Sequence, residues 1–260
     1  MTERARIDFP SRIGVWWASE TWPITEAQQV VAEIEDLGFG SLFLPEVVGK
    51  ECLTQSAAFL AATRRLVVGT GIANIHVRIP SAAETGARTL TALHPGRFVL
   101  GLGVSHAPLI DAGEPGRYRR PLAATREYLD GLDAAEQPVP VENRVLAALG
   151  PKMLALAATR SRGAHPYLTT PEHTAAARAE LGEGPLLLPE QGVVLSEDPA
   201  EARAIAADFL RGYLGLPNYA NNLLRSGFTT DDIASISDRL VDAIIAWGDE
   251  DAILRRIDEH

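Results

Sequence analysis

A single cysteine, Cys52, stands in a chain of 260 residues. That excludes an intrachain disulfide and a thiolate cage for a metal. Lysine is almost absent: Lys50 and Lys152 are the two present. Neither falls in a segment that reads as a strand, which argues against a Schiff-base aldolase. No HxH or HExxH pair occurs, so a histidine-built metal hydrolase is not expected, nor is any metal. GxSxG and P-loop motifs are missing as well. There is no basic run, and the net charge is −10; a nucleic-acid partner is therefore not expected. No apolar run approaches the roughly 20 residues that span a bilayer. Met1–Pro10 carries charges and no apolar signal region, so a cytoplasmic protein away from membranes is the expectation.

What is present is a core-forming composition, 46% hydrophobic and 22% charged, enough for one soluble domain across residues 1–260. The most informative stretch is Leu66–His106. The run LVVGTGIANIHVR leads to a helix opened by Pro80, then to the apolar run Phe98–Leu102. Strand, helix and strand with glycines where both strands end is a parallel unit buried on both faces. The same alternation runs along the chain. Strands are expected at Arg12–Trp17, Ser41–Leu44, Leu66–Arg78, Phe98–Leu102, Val145–Ala148, Ala164–Leu168 and around Leu186–Leu195. Helices are expected between them, the first over Glu26–Leu37 with Thr25 as its cap. Ala107–Arg120 reads as a loop, 214–237 as an insertion and Arg239–Trp247 as a helix. The pattern predicts an α/β fold, a TIM-type (β/α)8 barrel. Its eighth strand is missing: the sequence stops within the helix that would precede it. Either the chain is truncated or the sheet stays open, an edge that another segment or chain would have to cover.

In such folds ligands sit at the carboxyl ends of the strands. Gly69 and Gly71 mark a bulge or a close backbone approach. Asn74 and His76, two residues apart, share a strand face and become candidate contacts. Gly101-x-Gly103 is a poor dinucleotide fingerprint, since Pro108 interrupts any helix; the two glycines fit as room for a flat ring. His106 is the candidate acid/base, because imidazole titrates near neutrality. Ala148, Gly150, Pro151 and Lys152 form a strand end and a helix start suited to an anion such as phosphate. Glu46 and Glu190 end strands two and seven as candidate carboxylates; each also reads as a salt-bridged rim residue. Trp16 reads as core or as pocket wall. Few ionisable groups beside an anion site suggest a cofactor that brings its own chemistry.

LVVGTGIANIHVR, HPGRFVLGLGVSHAP and ALGPKMLALAATRSRGAHPYLTTPEH together resemble the bacterial-luciferase-like flavin and deazaflavin oxidoreductases, from about Arg12 to the end. The subgroup that looks nearest depends on coenzyme F-420. The resemblance implies a barrel, often a homodimer, with a non-prolyl cis peptide at Gly71–Ile72 backing the deazaflavin ring. It matches His106 to an active-site acid, Glu46 to the acidic end of strand two, and Gly150 and Pro151 to the loop at the cofactor phosphate. It matches Thr169 and Thr170 to a loop touching substrate or cofactor. Pro171-Glu172-His173 stands where the sugar-phosphate branch has a lysine, which argues against a phosphorylated sugar. Three functions follow. The first is hydride transfer between a deazaflavin and a small organic substrate. The second is an FMN-dependent monooxygenase, and the third a non-catalytic flavin-binding protein with a degenerate barrel.

Overall fold

A computed structural model of the chain describes residues 7–47 and 49–260. In chain order the elements are β1 (Val15–Trp16), α1 (Ile24–Asp36), β2 (Ser41–Leu44), α2 (Cys52–Ala62), β3 (Val67–Thr70), β4 (Ala73–Asn74), α3 (Pro80–Leu93) and β5 (Phe98–Gly103). Then come α4 (Ala107–Gly113), α5 (Pro121–Asp133), β6 (Arg144–Leu146), α6 (Pro151–Arg160), β7 (Gly163–Ala164), α7 (Pro171–Leu181) and β8 (Leu186–Leu187). The last are β9 (Gly192–Leu195), α8 (Pro199–Leu214), α9 (Pro217–Arg225), α10 (Thr230–Ser235), α11 (Asp238–Ile244), β10 (Ile245–Gly248) and α12 (Glu250–Glu259). The class is α/β of the TIM-barrel type. With β3 and β4 taken as one interrupted strand, the seven expected barrel strands are present, and no eighth occurs among the described residues.

The chain forms two compact units. The first comprises the described residues up to Ser105 with Arg119–Ala147 and Leu156–Gly163; the second comprises His106–Tyr118, Ala148–Ala155 and Ala164–His260. In the first, β1, β2, β3, β5 and β6 pair in that order, all parallel, with β4 beside β5. β2, β3 and β5 are buried along their whole length, with Leu42, Leu44, Val68, Val99 and Leu100 wholly out of solvent. Continuous apolar runs suit strands whose two faces are both kept from water. In the second unit β9 and β10 pair in parallel, and Leu210, Leu240, Val241 and Ile244 lie at the centre of its core.

Several expectations change. Strand three does not run to Arg78; it breaks after Thr70, resumes for Ala73–Asn74 and then turns. The first helix begins at Ile24 behind Pro23 with no side-chain cap, so Thr25 lies inside it. The 107–120 loop contains α4, and the 214–237 stretch contains α9 and α10. The helix read as Arg239–Trp247 stops at Ile244 and continues as β10, which takes Val193–Leu195 into a separate sheet.

Glu35 shows how one charge organises a connection. It is 8% exposed on α1, and its carboxylate accepts the N–H groups of Arg64, Arg65 and Leu66 ahead of β3. Burial raises its pKa, but the three N–H donors outweigh it and the net shift is downward. Replacing Glu35 by glutamine should cost about 2–3 kcal/mol, the scale of hydrogen bonds to a charged group. A depressed pKa stabilises above the unfolded value and loses its contribution as pH falls through the folded one. Denaturant titrations of the two proteins should therefore differ by a constant amount above about pH 5 and converge below about pH 4. A pH-independent gap would contradict this.

Candidate functional site

In the first unit the interrupted third strand sets the geometry. The Gly71–Ile72 peptide is cis, where the resemblance puts it. Both sides of it are tied to neighbouring strands. Gly71 N–H donates to the Leu44 carbonyl at 2.7 Å, and Glu46 N–H to the Ile72 carbonyl at 3.2 Å. Trp16 Nε1 donates to the Gly71 carbonyl at 2.8 Å, so this indole fastens the linkage. Gly71 and Ile72 remain half-buried.

Gly101 and Gly103 are used differently from the expectation. A methyl on Gly101 would lie 1.9 Å from the Thr70 carbonyl oxygen, and one on Gly103 would lie 2.6 Å from Ile72 Cγ1. The room that these glycines leave is filled by the chain itself. Thr70 Oγ1 donates to the Gly101 carbonyl at 2.7 Å and accepts the Gly101 N–H at 2.8 Å. The open face that could meet a flat ring is therefore the half-buried Gly71–Ile72 linkage.

Glu46 sits in an ion pair. Arg78 donates to both of its oxygens and, at 2.7 Å, to Glu51. Asn74 N–H adds a third donor to Glu46 at 2.7 Å. The Glu46 and Arg78 side chains are 5% and 9% exposed. Glu46, Glu51 and Cys52 bring three ligand-type atoms within 4.8 Å of one another, and the Arg78 guanidinium already supplies the positive charge there. Asn74 is buried and accepts the His76 N–H at 2.9 Å. His76 lies in the turn after β4, so strand alternation does not reach it.

The second unit holds two groupings. The first surrounds a cavity of about 560 Å³ lined by Leu149, Pro151, Thr170, His173 and Arg225, among others. Arg225 lies across from Gly150, 3.6 Å from where a β-carbon would stand. It donates to the Asn222 side chain and, among the described residues, has no carboxylate partner. His173 Nε2 meets the Leu149 carbonyl at 2.8 Å, while its Nδ1 is buried and unpaired among the described residues. Burial lowers the His173 pKa; the bond to the Leu149 carbonyl opposes this and the Arg225 charge adds to it, with the net shift downward. Thr170 caps α7 by accepting the His173 N–H. A guanidinium without a counter-ion beside a helix start is repelled by the helix dipole unless an anion intervenes. The residues present fit a phosphate. Lys152 is exposed and does not line the cavity; the cations there are Arg225 and Arg239, the latter paired with Asp232. Ala148 is buried.

The second grouping is made of rings and one carboxyl. His106 packs on Tyr219 at 5.0 Å, and Tyr167, Tyr213 and Tyr219 pack together at 5.4–5.9 Å. The Tyr167 hydroxyl donates to that of Tyr213 at 3.2 Å. His106 Nδ1, Thr169 Oγ1 and Glu190 Oε2 are all buried without a hydrogen-bond partner among the described residues. Burial lowers the His106 pKa, leaving a neutral imidazole at pH 7.

Tyr213, Tyr219 and Arg225 escape sequence reasoning because they stand in or beside a stretch without β–α rhythm, and His173 because it registers there only as a departure. Two tyrosines six residues apart and a basic helix end were the available signals. No helix among the described residues is long and apolar enough to cross a membrane.

The family model described as luciferase-like monooxygenase matches residues 7–260. A Mycobacterium tuberculosis protein with the provisional name coenzyme F-420-dependent oxidoreductase Rv3520c is 27% identical, the match covering 95% of this chain and 89% of that one. Among solved structures, the coenzyme F-420-dependent tetrahydromethanopterin reductase of Methanopyrus kandleri superposes with a TM-score of 0.68 at 18% identity, over 95% of this chain and 89% of that one. The FMN-bound oxygenating constituent of 3,6-diketocamphane monooxygenase from Pseudomonas putida gives 0.66 at 14% identity, over 94% and 86%.

Proposed function

We propose, for a chain that belongs to the luciferase-like monooxygenase family, that it is an oxidoreductase moving hydride between a deazaflavin, coenzyme F-420, and a small organic substrate. The observation that carries this reading is the cavity in which Arg225, without a carboxylate partner among the described residues, faces Gly150 and the start of α6. Coenzyme F-420 and FMN both carry a phosphate that this cavity suits. The name of the Mycobacterium tuberculosis relative favours the deazaflavin. The FMN-bound Pseudomonas putida structure supports the second reading, an FMN-dependent monooxygenase.

When bound, the cofactor supplies the redox chemistry and the chain supplies placement and protons. In the first unit, Trp16 and Asn74 fix the backbone around the half-buried Gly71 and Ile72. In the second, Gly150, Pro151, Thr170, His173 and Arg225 would hold the phosphate. His106, Thr169 and Glu190 are the groups there with polar atoms to spare for substrate.

Arg225→Ala should weaken binding of coenzyme F-420 by about tenfold to a hundredfold, the scale of one charge-assisted hydrogen bond of about 1.5–3 kcal/mol. Binding of the same deazaflavin without its phosphate should not change. Fluorescence titration of both ligands measures this. Equal losses for both ligands, or none for either, would remove the phosphate assignment.

A further inference from the structure

Glu190 follows β8, and its N–H donates to the Pro166 carbonyl at 3.0 Å. Its carboxyl lies beside Tyr167, after β7, and Tyr219, on α9. Tyr213 on α8 and His106 ahead of α4 complete this cluster of rings. His165 and His260 meet Leu188 and Gln191 instead, and burial lowers the pKa of all these histidines. Among the described residues the carboxyl therefore faces no positive charge at pH 7. Its Oε2 atom is buried and has no partner among the described residues. Burial pushes the Glu190 carboxyl up to about 7, and the Leu168 N–H is the donor that opposes it.

One helix of the second unit touches both this cluster and the phosphate cavity. Tyr219 stands on α9 beside the carboxyl, while Asn222 and Arg225, further along α9, line the cavity. Six residues separate Tyr219 from Arg225, about 9 Å along a helix. Arg225 donates to the Asn222 side chain at 3.0 Å, so the guanidinium is placed from its own helix. α9 is lightly held. Its buried residues are Asn222 and Leu223, whereas α8 buries Ala202, Ala206, Leu210 and Leu214. A carboxylate without a counter-ion gains by meeting water. The wall that yields to let water in is the one with the least buried against the core, and here that wall is α9.

We propose that the Glu190 carboxyl is a proton-operated latch on α9: neutral, it seats Arg225 in the cavity; ionised, it releases the helix and weakens anion binding. This rests on the phosphate reading of the cavity given above. Protonation favours the seated helix, so anion affinity is full at mildly acid pH and falls as pH rises through neutrality. The coupling is reciprocal, and a bound anion raises the pH at which the carboxyl ionises.

Sulfate is the probe, because its charge does not change near neutral pH. Its affinity is read from amide shifts in magnetic-resonance titrations. Wild-type protein should lose about tenfold in affinity from about pH 6 to about pH 8, as the fraction with a seated helix falls. Glu190→Gln keeps a neutral side chain of the same shape and should bind sulfate equally at both pH values. His173→Gln removes the other titrating ring at the cavity and should keep the tenfold fall. Amide hydrogen exchange in α9, corrected for its intrinsic pH dependence, should quicken above pH 7 in wild type and not in Glu190→Gln. A fall that survives in Glu190→Gln, or one that is lost in His173→Gln, overturns the latch. Sulfate binding with no pH dependence also overturns it and leaves the phosphate cavity standing. A fall in affinity with level exchange in α9 means that the charge acts without moving the helix, and the latch fails. Absence of sulfate binding at either pH defeats the cavity reading, and the exchange measurement still decides whether Glu190 holds α9.

Discussion

Arg78→Met is expected to lose about 3–5 kcal/mol of folding stability, the scale of breaking a buried ion pair from one side. Arg78 is 9% exposed and its main partner Glu46 is 5% exposed. Methionine would fill much the same space and leave the Glu46 carboxylate with the Asn74 N–H and the Cys52 thiol as its donors among the described residues. Glu51 would lose its cation too, but it is 45% exposed and can turn to water. Cys52, buried beside them, offers no positive charge; burial and then the Glu46 charge push its thiol pKa up. The loss should appear as a lower denaturant midpoint at unchanged slope. Arg78→Met combined with Glu46→Gln should regain a large part of it, because no uncompensated charge then remains. A single-variant loss under about 1 kcal/mol, the scale of surface pairs, would show that water reaches this pair and that Glu46 is free for another role.

Gly101→Ala should cost more than about 3 kcal/mol, at or beyond the usual range for overpacking. The new methyl would stand 1.9 Å from the Thr70 carbonyl oxygen, and the next contacts are the Thr70 carbonyl carbon at 3.0 Å and Val145 Cγ2 at 3.3 Å. The first two are backbone atoms and cannot rotate away. Relief requires β3 and β5 to part, which breaks the two hydrogen bonds between Thr70 and Gly101. At roughly 2–4 °C per kcal/mol for a chain of this size, the melting temperature should fall by about 6–12 °C. Gly212→Ala is the matched control: nothing lies within 4 Å of its added methyl. Gly212 lies within α8, where alanine should raise stability by about 0.5–1 kcal/mol. A Gly101→Ala protein that melts with wild type would mean that the glycine keeps space free for a ligand, as the sequence suggests, and not for Thr70.

These two sites mark the boundary of what sequence reasoning reaches. Ser41–Leu44 and Phe98–Leu102 read as strands because an uninterrupted apolar run of that length between turn residues has few alternatives. The clustering of glycine and polar residues after them was legible for the same reason. What fills the space beside a glycine was not: the methyl missing from Gly101 is a local fact, and the carbonyl in its place comes from 31 positions away. Nor was the pairing of Arg78 with Glu46, 32 positions apart. The boundary between α11 and β10 was hidden because Leu240, Val241, Ile244 and Ile245 continue a helical spacing across it, and pairing with β9 decides the change. Arg225 displaced Lys152 as the cation facing Gly150 because a charge next to a motif in sequence need not point at it.

Thermal unfolding of the wild-type chain with coenzyme F-420 or FMN tests the function most directly. At about one hundred times the dissociation constant, a ligand selective for the folded state adds about 2.7 kcal/mol, or about 5–10 °C here. The account predicts that shift with coenzyme F-420 and a clearly smaller one with FMN at equal concentration. A shift with FMN alone, or with neither, would contradict it.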